Sequence, residues 1–196
     1  MCYCLTMDEL SLFTDRIILD LCGGTGAWSD PWRDGGFDVR VVTLPQDVRF
    51  YVPPAGVYGV LAAPPCTCFA NSGARWHRSE ADMLEALSVV DACLRIILVS
   101  KPVFWALENP VGKLKGWLGS PVMYFNPCDY GDPYTKKTAL WGNFTIPEKT
   151  PVDPVEGSKM ALKYGGKSKR TKELRSITPP GFAKAFYKAN RSYCDE

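Results

Sequence analysis

The chain has 196 residues, 46% hydrophobic and 22% charged, a size and balance that support one buried core and exclude a disordered or fibrous chain. The net charge of +2 excludes a general polycation, so any surface for nucleic acid has to come from local clustering. The longest apolar stretch, 92–105, is broken by Arg95, Lys101 and Pro102, so no membrane partner is expected.

Taken in chain order, residues 16–22 form an apolar run that reads as a buried parallel strand. It enters a glycine turn, Gly23-Gly24-Thr25-Gly26, followed by a short helix through Pro31, Trp32 and Arg33 that ends at Gly35-Gly36. Residues 37–44 and 57–62 read as the second and third strands, the latter stopping at Pro64-Pro65. Residues 79–99 carry Met83, Leu84, Leu87, Val90, Leu94 and Ile97 at helical spacing, with Ser79 placed to cap. A fourth strand, 103–107, closes on Glu108-Asn109-Pro110. Residues 123–131 and 138–144 are read as two further strands, and 179–190 as a last helix with prolines in its first turn. Alternating strands and helices predict a doubly wound α/β sheet in one domain, 1–196, whose ligands bind beyond the carboxyl ends of the strands.

The eight cysteines follow no secretory leader in residues 1–10, so they read as free thiols of a cytoplasmic protein. The pairs Cys2/Cys4 and Cys66/Cys68 resemble metal half-sites, but with His77 as the sole histidine no complete ligand set is visible and no metal is expected.

Three short features at strand ends carry the chemistry. The turn after Asp20 lets backbone amides approach a ligand that a side chain would exclude, but it lacks the endings of a P-loop or dinucleotide fingerprint. Cys66 directly follows two prolines, which holds a thiol in a stiff extended loop, as a nucleophile requires. Glu108, wedged between an apolar strand and a proline, is expected to be part-buried with a raised pKa, suited to giving and taking a proton.

In this order the residues Asp20-Leu-Cys-Gly-Gly-Thr-Gly-Ala-Trp28, Pro64-Pro-Cys-Thr67 and Leu107-Glu-Asn-Pro110 resemble the DNA cytosine-5 methyltransferases. Tyr130-Gly-Asp-Pro-Tyr-Thr-Lys-Lys137 and Arg175-Ser-Ile-Thr-Pro-Pro-Gly-Phe-Ala-Lys-Ala185 continue the likeness, which is greatest to the short forms carried by phages and prophages. The resemblance implies a Rossmann-like methyltransferase fold that uses S-adenosylmethionine and acts on DNA, in a bacterial cytoplasm if phage-encoded. The cofactor would lie over Asp20, Leu21, Cys22, Gly23, Gly24, Thr25, Gly26, Ala27 and Trp28. Asp47, Val48, Pro64, Ser176 and Thr178 would complete its site. A cytosine would be flipped out of the duplex, and Cys66 would add to carbon 6 while Glu108 holds ring N3. Lys136 and Lys137 would position the base or its phosphate, and Pro65, Thr67, Asn109 and Arg170 would touch the substrate.

The chain departs from that family at several points. Thr67 stands where a glutamine usually follows the nucleophile, Pro110 where a valine follows Glu-Asn, and Lys136 and Lys137 where arginines are usual. The second strand runs into Thr43-Leu44-Pro45 without the acid that normally holds the cofactor ribose, leaving Asp47 as the substitute. A short basic insert around 145–175 replaces a target-recognition domain, which implies very short sequence specificity or a separate specificity partner. Two other readings stay open: an exocyclic-amine DNA methyltransferase, suggested by Pro64-Pro65, and a degenerate relative that only binds nucleic acid or a partner.

Overall fold

The computed structural model describes residues 16–71, 78–158, 174 and 176–191. Its centre is a six-stranded sheet of β1 (Ile17–Leu21), β2 (Asp38–Val42), β3 (Val57–Ala62), β4 (Phe104–Pro110), β5 (Met123–Phe125) and β6 (Thr138–Asn143), ordered β2-β1-β3-β4-β6-β5. The first four strands are parallel, and β6 runs antiparallel to both β4 and β5. Every residue of β1 and β3 is buried, because both faces of the sheet are covered.

One face packs under α2 (Glu80–Ser100), whose Val90, Cys93, Ile96 and Ile97 meet Leu19, Leu21, Val60 and Leu107. Ser79 and Asp82 cap this helix reciprocally. The opposite face is aromatic: Trp28 and Trp32 from the turn and α1 (Asp30–Asp34) interlock with Phe104, Phe182 and Phe186, the last two from α4 (Pro180–Asn190). Truncating a fully buried ring of this kind costs about 3–5 kcal/mol. A side chain at Gly59 would strike the Phe104 ring at 2.2 Å, so the small residue lets that aromatic layer seat against the sheet. Among the described residues no helix is long and apolar enough to cross a membrane.

Two strands differ from their sequence expectations. β4 does not close at Leu107 but continues to Pro110, because β6 supplies partners in the register Glu108↔Leu140, Asn109↔Ala139 and Pro110↔Thr138. β5 is three residues long rather than nine, since Asn126-Pro127 turns the chain into a 3-10 segment in which Asn126 N–H donates to the Asp129 carboxylate at 2.8 Å.

Candidate active site

β1 lies between β2 and β3, so the sheet's strand order reverses direction at β1 and opens a crevice above the carboxyl ends. The glycine turn fills this place. Cys22 continues the ladder, its N–H donating to the Val42 carbonyl at 2.7 Å, but takes a left-handed φ of 58°, and Gly24 and Gly26 follow at 58° and 77°. A side chain at Gly24 would meet nothing within 4 Å, whereas one at Gly23 would collide with the Asp20 carboxyl at 2.3 Å. The turn thus presents bare backbone to open space, with Gly24 and Thr25 exposed above a buried Asp20.

Asp20 lies wholly beneath the turn, accepting the Ser29 hydroxyl at 2.6 Å, and burial pushes its carboxyl up to about 7. Its Oδ1 has no partner among the described residues. The Cys22 thiol is pulled below its ordinary value by a hydrogen bond with Cys93 of α2. Trp28 is buried against Phe182 in the first turn of α4, and Ser176 and Thr178 lie in the segment that leads into that helix. Beyond β2, Asp47 caps a 3-10 turn containing buried Val48, and both its oxygens are engaged by the Arg49 guanidinium, which also reaches Glu85 on α2. Asp47 still borders a cavity of about 530 Å³ shared with Gln46, Phe50 and Tyr51.

The second half of the site sits over β3 and β4. Ala63 N–H donates to the Leu21 carbonyl at 2.9 Å, so the Pro64-Pro65 stretch leaves the sheet beside the glycine turn. Pro64 is buried, and Pro65 and Thr67 are exposed. The Cys66 carbonyl accepts from Phe69 and Ala70 at 3.0 and 2.8 Å, closing a tight turn with the thiol on its part-buried side. Cys68 points elsewhere: its thiol donates to the Asp82 carbonyl at 3.5 Å.

Cys66, Glu108 and Lys136 act on one another electrostatically. Burial pushes the Cys66 thiol up, the Glu108 charge adds to this, and the Lys136 ammonium counters it. Glu108 is likewise pushed up by burial, with Lys136 again opposing. Lys137, next in sequence, turns the other way and lies over the Tyr124 ring at 5.5 Å. Both lysines border a cavity of about 320 Å³ that also reaches Pro110 and Val111.

Asn109 is fully buried, its amide donating to the Pro64 carbonyl at 3.0 Å. This hydrogen bond ties the Pro64-Pro65-Cys66 loop to β4. That tie between neighbouring strand ends is a long-range contact with no local sequence signal. Arg170 and nearly all of the basic stretch around it lie outside the described residues, as do His77, Cys2 and Cys4. Cys22, Cys66, Cys68, Cys93 and Cys128 are all free thiols.

No family model matches the chain, and no curated protein does. A prophage-encoded DNA modification methyltransferase of E. coli has a similar structure, with a TM-score of 0.50 and 16% identity over 71% of this chain and 52% of that one. This chain therefore spans about half the length of that neighbour. A DNMT2 mutant of Spodoptera frugiperda gives a TM-score of 0.39 at 16% identity, covering 71% of this chain and 56% of that one. The mixed sheet, with its switch point at β1 and antiparallel β6, is a Rossmann-like α/β fold shared with the prophage-encoded methyltransferase.

Proposed function

We propose that this protein methylates DNA cytosine at carbon 5, using S-adenosylmethionine and a covalent bond from Cys66. The observation that supports the reading is that Cys66, on the loop leaving β3, and Glu108, on the adjacent β4, both feel the Lys136 charge beside a bare glycine turn. The turn fits the cofactor: Gly24 leaves open space, and Gly23 tolerates no side chain. Leu21 to Trp28 would hold the cofactor, with Val48, Pro64, Ser176 and Thr178 around it and Asp47 toward its outer edge. S-adenosylmethionine, when bound, supplies an electrophilic methyl group.

The Cys66 thiolate adds to ring carbon 6, and the electron pair of the 5,6 double bond moves toward N3, where Glu108 delivers or shares a proton. Carbon 5 thereby becomes an enamine carbon able to take a methyl group. Loss of the carbon-5 proton to water then restores the 5,6 double bond and expels the Cys66 thiolate, while the N3 proton returns to Glu108. Lys136 holds the thiolate and its partner acid in a common positive field, and Asn109 keeps the Pro64-Pro65-Cys66 loop in place. Target choice is assigned to very short sequence readout or to a separate specificity partner.

The test is methyl transfer from labelled S-adenosylmethionine to cytosine-containing DNA, comparing wild type with Cys66→Ser and Cys68→Ser. The expected product is 5-methylcytosine, lost in the first variant and kept in the second, whose thiol is bound to α2. Label on an exocyclic amine would move the protein to the rival methyltransferase class. Absence of both transfer and cofactor binding would leave a binding module.

A further inference from the structure

The segment after β4 is built like a platform, and nothing in the methylation chemistry uses it. Gly112 bridges to Ala70, Lys113 N–H donates to the Phe69 carbonyl at 2.8 Å, and Asn71 N–H donates to the Val111 carbonyl at 3.1 Å. Residues 111–113 are thus zipped to the strand of chain that leaves Cys66. A side chain at Gly112 would come within 1.9 Å of the Phe69 carbonyl oxygen, so only glycine permits this approach. Leu114 is fully buried, and the Trp141 indole donates to the Gly119 carbonyl at 3.0 Å, so both ends of α3 (Lys115–Leu118) are pinned.

What this anchored turn presents outward is two cations and one aromatic ring. Lys113 and Lys115 are exposed, and neither has an ion pair among the described residues. Residues 109–128 contain no Asp or Glu, so the charge is uncompensated along the segment. Trp117 leaves 52% of its surface exposed, braced edge-on against Phe69 at 6.3 Å. The brace holds the ring in place, so little ordering entropy would be lost when a base stacks on it.

We infer that Lys113, Lys115 and Trp117 form a shelf that holds an unpaired stretch of DNA strand running past the active site. The inference rests on DNA being the substrate, as proposed above. Spaced lysines beside an open ring match a phosphate backbone with a splayed base, whereas a paired duplex offers no free base face to Trp117. The shelf adjoins the Cys66 loop on one side and the Lys136 cavity, through Val111, on the other.

The experiment is fluorescence anisotropy with a labelled single-stranded oligodeoxynucleotide and its duplex, using the full chain without cofactor, over a salt series. Lys113→Ala/Lys115→Ala should weaken single-strand binding at low salt by tenfold or more, and flatten the log–log salt dependence by about 1.4, two phosphates' worth. Trp117→Ala should weaken it by about fivefold to a hundredfold even at high salt, and Trp117→Phe should recover most of this. Melting temperatures of the lysine variant should match wild type, because both side chains are exposed. Wild-type binding with unchanged affinity and salt slope in the lysine and tryptophan variants overturns the shelf and leaves the methylation reading standing. A wild-type chain that binds neither strand form overturns both. Binding that depends on the shelf, without methyl transfer to any DNA, removes the methylation reading alone.

Discussion

Replacing Asn109 by Asp changes one nitrogen into oxygen and isolates what the buried tie contributes. In the native chain the amide donates to the Pro64 carbonyl at 3.0 Å, in a place with no exposure at all. The amide oxygen already has no partner among the described residues, so the substitution alters only the donor and the charge. An ionised carboxylate in that place would face a carbonyl oxygen across a dry contact. A protonated one would restore the hydrogen bond. The folded chain should therefore hold the introduced carboxyl protonated, with its pKa raised above the ordinary value of about 3.9. The sign follows from linkage: the unfolded chain ionises first, so stability is unaffected below about pH 4 and falls as pH rises, by about 1.4 kcal/mol per unit. At pH 7 the loss reaches about 4 kcal/mol, against a total domain stability of about 5–15 kcal/mol. Urea midpoints of wild type and variant at pH 5 and pH 7 read this directly, with methyl transfer followed in parallel. The variant should lie about 1.5 kcal/mol below wild type at pH 5 and about 4 kcal/mol below it at pH 7, its transfer rate falling with it. A stability difference that does not vary with pH would refute the assignment of Asn109 as the tie.

Asp20 gives the same kind of test in the native chain. Because burial lifts its folded pKa to about 7, wild type should lose stability between about pH 4 and pH 7, and Asp20→Asn should flatten that slope by up to about 4 kcal/mol while still accepting the Ser29 hydroxyl. Thermal melts across that range decide it, and an unchanged slope would place the titrating group elsewhere. Lys136 lowers both Cys66 and Glu108, so Lys136→Met should move the whole pH–rate profile of methyl transfer to higher pH. Lys137→Met should leave the profile where it is, since that ammonium sits on Tyr124; equal shifts in both variants would contradict the geometry. Gly112→Ala drives a methyl group against the Phe69 carbonyl, which should cost about 1–3 kcal/mol and displace the Cys66 loop, seen as a lower melting temperature together with slower transfer.

Much of this architecture is legible in the residues because burial is nearly complete. β3 is a continuous apolar run and β1 is interrupted only by Asp20, a pattern that a strand covered on both faces calls for. The spacing within α2 and its Ser79 cap are equally direct. Cys66 and Glu108 stand out because each breaks an apolar or proline-rich segment at a strand end. What escapes the sequence is decided by pairing between distant segments. The extension of β4 through Asn109 depends on β6, some thirty residues later in the register. Of two adjacent lysines, Lys136 acts electrostatically on Cys66 while Lys137 lies over the Tyr124 ring, and nothing local in the sequence distinguishes them. Asp47 is an acid in the expected place, yet its partner is the nearby Arg49, a pairing that sequence separation alone does not force. The brace under Trp117 is Phe69, brought close by a bridge between two loops.

The relation between the two halves of the site follows from the ladder rather than from its loops. The glycine turn and the nucleophile loop both begin where parallel strands end, and Ala63 N–H to the Leu21 carbonyl locks those ends at 2.9 Å. From there Pro64 and Pro65 remove backbone freedom, and Asn109 fixes the Pro64 carbonyl from the neighbouring strand. Three consecutive constraints thus stand between the glycine turn and the Cys66 thiol, which in the proposed reaction meet over a single ring bond. A methyl transfer of this kind needs its two reacting centres aligned within a fraction of an ångström, and flexible loops on each side would lose that alignment to entropy. Anchoring both to β1, β3 and β4 makes the distance between them a property of sheet geometry. The side chains of Thr67, Lys113, Lys115 and Lys137 are exposed and lie outside these constraints.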